Sequence, residues 1–347
     1  VNFPFVLLLP LIIFLLTQEL FNKKNISLLA AFLSGFAPGL QLLGRQAHEG
    51  YMTVFFLTLS FYLFLKFFKK QSVVNFLIFD LCVLISLFGY HFSRLWAGFY
   101  FILFLFFVFK KNLSKWYLLF FVFVIFLFGM TDIAYKPTRI KNLLFFNNLG
   151  FSLKINELRG EGGSYLFYNK LTIGMKDLSL NYLKYFSPQF LVINGDENPR
   201  FGYQGISPIT ALEYIFIFIG LYFLFKNREK WRYLILLMFL FSPISASLSW
   251  AGESITRSVF IFIPIFIISA YGIVNFLDKK NYFFYVTCFM LYVTFAFYSW
   301  DFYLNHYPKR AIVLRSWQAG YKELTNYIKT NYNSYDKFYI TKKNGQP

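Results

Sequence analysis

The chain has 347 residues, 57% of them hydrophobic and 14% charged, with a mean hydropathy of +0.50. A soluble domain carries about 25% charged residues, so the composition excludes an ordinary water-soluble globular protein. Lysine and arginine exceed the acids by 34 − 16 = 18, a surplus that in a soluble protein points to nucleic acid. Here the basic residues sit in short turns between apolar runs, where they set membrane orientation, and no nucleic-acid partner is expected.

In chain order, ten apolar runs of about 17 to 22 residues, long enough to cross a hydrocarbon core of about 30 Å, predict helices. They cover 3–21, 27–44, 50–68, 73–91, 95–110, 115–131, 209–226, 232–250, 256–277 and 282–300. The organisation read from them is six spans over 1–131, a long loop over 132–208, four spans over 209–300, and the truncated start of a further domain over 301–347. Cys82 and Cys288 each lie inside an apolar run, with no CxxC or disulfide spacing. No basic segment with a small-residue cleavage site opens the chain. It begins at Val1 almost directly in apolar sequence and ends at Pro347 just after a strand-like run, and both ends are expected to be cut.

Orientation follows from the short turns. Lys23-Lys24, then Lys66, Lys69 and Lys70, then Lys110, Lys111 and Lys115, then Lys226, Arg228, Lys230 and Arg232, then Lys279-Lys280 follow helices one, three, five, seven and nine. Every second turn is therefore basic and expected in the cytoplasm. The intervening segments hold Glu49, Asp132, Asp196, Glu197, Glu253 and Asp301 and are expected outside. The long outer loop is rich in Gly and Pro, with amphipathic pieces at about 138–149 and 176–186 suited to the membrane surface; a loop of this length is usually functional. In the tail, Trp317, Tyr321, Leu324, Tyr327 and Ile328 fall at helical spacing and Lys337–Thr341 reads as a strand, which predicts the opening of a small α/β domain.

Four polar clusters sit at the outer helix ends, where ionisable residues near a membrane default to functional candidates. Arg45-Gln46-Ala47-His48-Glu49 sets a carboxylate beside an imidazole, which can orient a hydroxyl or share a proton, or is a solvated hairpin turn. Tyr90-His91-Phe92-Ser93-Arg94-Leu95-Trp96 offers an arginine fork for phosphate among aromatics, or is an interfacial aromatic belt. Ser187-Pro188-Gln189-Phe190 followed by Asn194-Gly195-Asp196-Glu197-Asn198-Pro199-Arg200 makes a rigid turn whose carboxylates could hold a divalent cation, although turn formation alone explains its Asn, Gly and Pro. Trp250-Ala251-Gly252-Glu253 precedes Arg257, which could hold a lipid phosphate or pair with Glu253. Arg94 and Arg257 both stand against the positive-inside trend. No P-loop, GxSxG, HExxH or dinucleotide-binding glycine pattern is present.

Several segments resemble bacterial glycosyltransferase family 39, relatives of the protein O-mannosyltransferases and aminoarabinose transferases. They are Ser34-Gly35-Phe36-Ala37-Pro38 leading to Arg45–Gly50, Gly89–Arg94, Asn169-Lys170, Tyr185–Leu191 with Asn194–Asp196 and Asn198–Arg200, Pro243–Leu248 before Arg257, and Gly320–Leu324. The motifs are short and degenerate, but their order spans nearly the whole chain. The resemblance implies an all-α polytopic, GT-C-like transmembrane bundle with a long extracytoplasmic loop. It also implies an inverting transferase that passes a hexose from a polyprenyl-phosphate carrier to a protein, lipid or glycan acceptor outside the cytoplasm, in a bacterial plasma membrane. On that expectation Arg45, Arg94 and Arg257 hold the lipid phosphate. His48, Glu49, His91, Asn194, Asp196, Arg200 and Glu253 contact the sugar, and no cofactor is expected, with a divalent metal left open.

The chain departs from the family in two places. The first helix starts outside, so it resembles the family's second helix, and the family's acidic first loop with its catalytic base is expected upstream of Val1. Glu253-Ser254-Ile255 stands where the family commonly has a histidine near Arg257. Two other classes share the broad features: an O-antigen ligase or polymerase type of enzyme, and a transporter or flippase, which should show charged or broken segments at the bilayer midplane.

Sidedness is directly testable. With Cys82 and Cys288 replaced by serine, cysteines introduced at His91 and Glu253 are expected to react with a membrane-impermeant maleimide added to intact cells. Labelling only after lysis would reverse the orientation.

Overall fold

The computed structural model describes residues 2–111, 113–134, 144–203, 205–250, 252–277 and 282–340. Helices appear at all ten predicted places: α1 (Phe3–Phe21), α2 (Lys24–Phe36), α3 (Pro38–Arg45), α4 (Glu49–Lys70), α5 (Val73–Gly89), α6 (Ser93–Lys111) and α7 (Lys115–Ala134), then, after α8 (Leu149–Gly160) and α9 (Lys170–Lys184) of the long loop, α10 (Ala211–Lys226), α11 (Arg232–Phe241), α12 (Ile255–Leu277) and α13 (Tyr282–Asp301). Four helices, over Phe3–Phe21, Glu49–Lys70, Ser93–Lys110 and Ile255–Leu277, are each long and apolar enough to cross a bilayer, and the bent pair α2–α3 makes a fifth. Val73–Gly89, Lys115–Thr131 and Arg232–Ser247 are apolar but shorter. The chain is an all-α polytopic membrane protein.

Three expected single helices are broken, each for a local reason. The run 27–44 divides at Ala37, and α3 turns 57° from α2. Proline disfavours the α conformation in the residue before it, and Ala37 lies at φ −70°, ψ 120°. The run 232–250 stops at Phe241 before Pro243 and resumes for one turn at Ile244–Ser247. The start of α12 passes through a tight 3₁₀ turn at Val259–Ile261 before regular helix resumes at Phe262. All three breaks fall at the same end of the bundle, where they turn backbone toward the polar clusters.

The core is largely aromatic. Phe61 packs on Trp96, Tyr100 and Phe260 at centroid distances of 5.4, 4.9 and 5.7 Å, which ties α4 to α6 and α12. α10 and α12 approach so closely that only glycine fits between them. A Cβ on Gly220 would lie 2.1 Å from the Ile268 carbonyl oxygen, and one on Gly272 would lie 2.6 Å from that of Phe216. Small residues drive such close helix approach in membranes, where no hydrophobic gain is available between helices.

The two ends of the bundle differ as the turn charges predict. At one end Lys69 meets Glu19 at 2.7 Å and Lys23 meets Glu229 at 3.8 Å. Glu229 also accepts from Tyr271 at 2.7 Å, and Asn227 donates to that tyrosine at 3.0 Å. The turns after α1, α4 and α10 and the end of α12 therefore share one basic face; Lys279 and Lys280 lie outside the described residues. Asp80, in α5, is an ionisable residue that the outer-end clusters left out. It is 3% exposed, and neither carboxylate oxygen has a hydrogen-bond partner among the described residues.

The tail corrects one expectation. Tyr321–Thr330 is helical, but no strand forms among the described residues, and Lys337–Ile340 runs without ladder partners. A lone extended segment gains no hydrogen bonds without a neighbour. Hence the tail shows the helix of the anticipated α/β domain and not its sheet; Thr341 lies outside the described residues. Of the two amphipathic pieces in the long loop, α9 covers most of 176–186. Only the end of 138–149 is described, as a 3₁₀ turn at Phe145–Asn147 leading to α8.

Replacing Gly220 or Gly272 by alanine is expected to lower stability by about 1–3 kcal/mol through overpacking, read as a lower thermal-unfolding midpoint in detergent. An unchanged midpoint would mean that α10 and α12 can separate at no cost.

Candidate functional site

The four clusters meet at the other end of the bundle. The elbow at Pro38 lays α3 across it and delivers Arg45–Glu49 to the start of α4. Asn2 donates to the carbonyls of Gln46 and His48 at 2.7 and 3.0 Å, which fixes that turn. The His48 Nδ1 accepts the Gly50 N–H at 3.0 Å, so in the neutral ring the proton sits on Nε2. The imidazole packs between Tyr90, at a centroid distance of 5.3 Å, and Phe201, at 5.5 Å.

The turn 194–203 is held from three sides. Asp196 is 2% exposed. Its Oδ1 accepts the Asn198 N–H at 2.8 Å, and its Oδ2 accepts the Ile255 N–H at 2.8 Å, which bonds the turn to the first residue of α12. Gln46 donates to the Arg200 carbonyl, Tyr307 to that of Pro199, and the Arg200 guanidinium to that of Ser316. Gly195 adopts φ +67°, and a Cβ on Gly202 would strike the Asp196 carbonyl oxygen at 2.1 Å, so these two glycines permit the sharp fold-back. The segment 252–254 is anchored in turn by Tyr185, whose hydroxyl accepts from the Ser254 N–H at 3.2 Å and donates to the Gly252 carbonyl at 3.4 Å. Burial pushes that phenol up to about 12, which keeps it protonated as this donor role requires.

Two adjoining cavities result. A polar one of about 270 Å³ is lined by residues of all four clusters: His48, Tyr90, Asp196, Glu197, Asn198, Phe201, Gly252, Glu253, Ser254, Thr256 and Arg257. The second, of about 230 Å³, has largely apolar walls from Phe92, Leu95, Leu144 and Leu248, with Ser245, Ser249, His91, Arg94 and Arg257 among them. Tyr90 and Arg257 belong to both. Arg257 donates to the Gly252 carbonyl at 2.9 Å, and the Arg94 guanidinium lies 5.5 Å from the centre of the Phe128 ring.

Of the predicted residues, His48, His91, Arg94, Asp196, Glu253 and Arg257 line these two cavities, and four do not. Arg45 stacks on Tyr303 at 4.6 Å and lines a separate recess with Tyr307 and Trp317. Glu49 is exposed in the first turn of α4. Asn194 is exposed at the end of the π-helical turn Gln189–Asn194. Arg200 turns to Ser316 and stands 5.8 Å from the Trp317 ring centre. Asp196 does reach the polar cavity, but both its oxygens accept backbone N–H groups. Glu253 pairs with Lys184 at 3.6 Å. Sequence reasoning missed Phe201 and Thr256. Neither carries a charge, and only their adjacency to Arg200 and Arg257 could have marked them. Among the described residues no three His, Cys, Asp or Glu side chains converge to hold a metal ion.

No protein-family model matches the chain, and no curated protein does. Among solved structures, it is similar to an archaeal oligosaccharyltransferase, AglB from Archaeoglobus fulgidus, determined with an inhibitory peptide and a dolichol-phosphate. The TM-score is 0.47 and the identity 14%, over 100% of this chain and 49% of that one, so the chain spans about half the length of that protein.

Burial is the main influence on the Asp196 carboxyl and raises its pKa against the pull of its backbone N–H bonds. With the folded value above the unfolded one, its contribution to stability is fully present below the ordinary aspartate range. It is lost as pH rises through the raised value. Asp196→Asn is expected to remove this pH dependence. Because an amide offers one acceptor oxygen to two buried N–H groups, it should cost about 1–3 kcal/mol below the ordinary aspartate range and less as pH rises through the raised value. The check is the difference in unfolding midpoint between the two proteins across pH; a difference of constant size would contradict the assignment.

Proposed function

We propose that the chain belongs to a membrane transferase that takes a sugar from a lipid-phosphate carrier and passes it to an acceptor at the polar end of the bundle. One observation carries this reading: Arg94 and Arg257 line a single apolar-walled cavity, and Arg257 and Tyr90 form its boundary with a polar cavity. A lipid phosphate has the matching halves. Its chain fits against Phe92, Leu95, Leu144 and Leu248, and its anionic oxygens fit the two guanidinium groups, which offer fork-like, charge-assisted donors. The attached sugar then falls in the polar cavity, within reach of the His48 Nε2–H, Glu197 and Glu253.

The chemistry follows from where charge develops. When the glycosidic bond to phosphate breaks, negative charge grows on the leaving phosphate, and fixed cations there favour the transition state over the ground state. The two arginines would supply that charge. The resemblance to glycosyltransferase family 39 supplies the finer expectations: a hexose, a polyprenyl carrier, inversion at the anomeric carbon, a carboxylate base from an acidic loop, and a bacterial plasma membrane with the site facing outward. The lysine-rich turns at the opposite end support that last point by the positive-inside rule. Asp80 is the observation favouring a transporter or flippase, since such proteins place ionisable groups within the membrane. A transport path also needs a cavity at that depth, and Asp80 lines neither the polar cavity nor the arginine cavity.

Binding of a short isoprenyl phosphate to the chain in lipid nanodiscs tests the reading. Arg94→Ala and Arg257→Ala are each expected to weaken binding about ten- to a hundredfold, the loss of one charge-assisted contact of about 1.5–3 kcal/mol. Arg45→Ala, in its separate recess, should bind as the parent does. Parental affinity in both Arg94→Ala and Arg257→Ala would sink the lipid-phosphate assignment.

A further inference from the structure

We propose that the cleft between α8, α9 and Trp250 is the acceptor site and that it takes a neutral saccharide. The inference rests on the transferase reading, which leaves the acceptor open, and, Glu253 apart, it rests on side chains that the donor site does not use. The cleft measures about 480 Å³ and is lined by Asn148, Lys154, Asp177, Asn181, Lys184 and Trp250, among others. That is ample for two or three sugar rings.

Three features select the ligand. The first is Trp250, an indole 52% exposed at the wall of a polar cleft. A flat aromatic face beside polar groups is what the axial C–H face of a pyranose stacks on. The second is the two amides of Asn148 and Asn181 in the lining: Asn148 Oδ1 caps α8 by accepting the Gly150 N–H at 2.7 Å and leaves its NH2 as donor, and Asn181 adds a donor and an acceptor such as hydroxyl groups bind. The third is charge balance. Lys154 is bound to Asp177 through both carboxylate oxygens, at 3.0 and 2.8 Å, and Lys184 pairs with Glu253 at 3.6 Å. Each lysine in the cleft therefore has a carboxylate beside it, Glu253 of the adjoining polar cavity in the case of Lys184, which weakens the cleft's pull on a phosphate or a carboxylate, while its ion pairs still offer donors and acceptors to an uncharged, hydroxyl-rich ligand.

The position of the cleft supports the same conclusion. Glu253 reaches from the polar cavity to Lys184 in the cleft wall, and Tyr185, next to Lys184, anchors the 252–254 segment. Leu144, in the wall of the arginine cavity, is bridged to Ser249, next to Trp250. A saccharide lying along Trp250 would thus present its end toward Glu253, where the donor sugar is expected. Phe145, Phe151 and Leu180 also line the cleft, so an extended peptide is the competing occupant.

The test exposes the chain in lipid nanodiscs to an array of neutral hexose oligosaccharides, uronic-acid oligosaccharides and unstructured peptides, with isoprenyl-phosphate binding measured in parallel. Binding to neutral oligosaccharides is expected. It should fall about tenfold or more in Trp250→Ala, recover in part in Trp250→Phe, and persist in Arg94→Ala. Retained isoprenyl-phosphate binding shows that Trp250→Ala is folded. If it is not, Asn181→Ala should give the same loss of saccharide binding. Selective capture of peptides or acidic glycans, no saccharide binding at all, or parental affinity in Trp250→Ala and Asn181→Ala would each overturn the proposal. Saccharide binding by a chain that ignores isoprenyl phosphate would sink the donor reading and leave the cleft standing; the converse would sink the cleft alone.

Discussion

A single buried carboxylate holds the polar end of this protein together. Asp196 accepts one N–H from its own turn and one from the first residue of α12, and through that pair the long loop is fastened to the bundle. Without a partner, the Ile255 N–H would be an orphaned donor at a helix start, a costly thing to bury. The same contact that pays this debt also sets Glu197 and Asn198 opposite His48 and Thr256. The polar cavity is a consequence of where a helix end found its acceptor.

Around that clamp the architecture separates two kinds of solvent. Phe92, Leu95, Leu144 and Leu248 make an apolar chamber, the turns at 196–201 and 252–256 make a polar one, and Tyr90 and Arg257 stand on the threshold. On the proposed reading, an amphiphile with a charged junction is the molecule that such a threshold would distinguish from both plain lipid and plain sugar. A transporter would move its cargo between such compartments, whereas an enzyme needs them side by side and fixed.

Much of this was legible in the residues. Ten apolar runs marked the helices, and the spaced lysines marked the turns after α1, α4 and α10 that meet at one end, because hydrocarbon thickness and charge cost leave the chain little choice. The polar clusters were visible as departures from that pattern, and six of the ten nominated side chains reach the two cavities. The misses have definite causes. Arg45, Arg200, Glu49 and Asn194 are of suitable type, but whether a side chain at a helix end points inward or finds a carbonyl or ring elsewhere depends on a turn's dihedrals, not on composition. Pro38 and Pro243 marked the helix breaks in plain sight, yet apolar continuity on either side masked them. The expected strand at 337–341 failed for a different reason: extended propensity needs a partner strand to be realised.

Asp80 carries a consequence for how the protein enters its membrane. A carboxyl at a helix centre costs about 2.5–3.5 kcal/mol on insertion scales, and α5 has only 17 residues with which to offset it. Its neighbour α4 is longer and apolar enough to cross by itself, and the two are joined by a two-residue turn at Gln71-Ser72 and pack along their lengths through Phe64, Phe67, Phe76 and Phe79. Lipid is therefore a poorer environment for α5 than the flank of α4, and the two helices are expected to insert as one hairpin, its second arm held in place by the first.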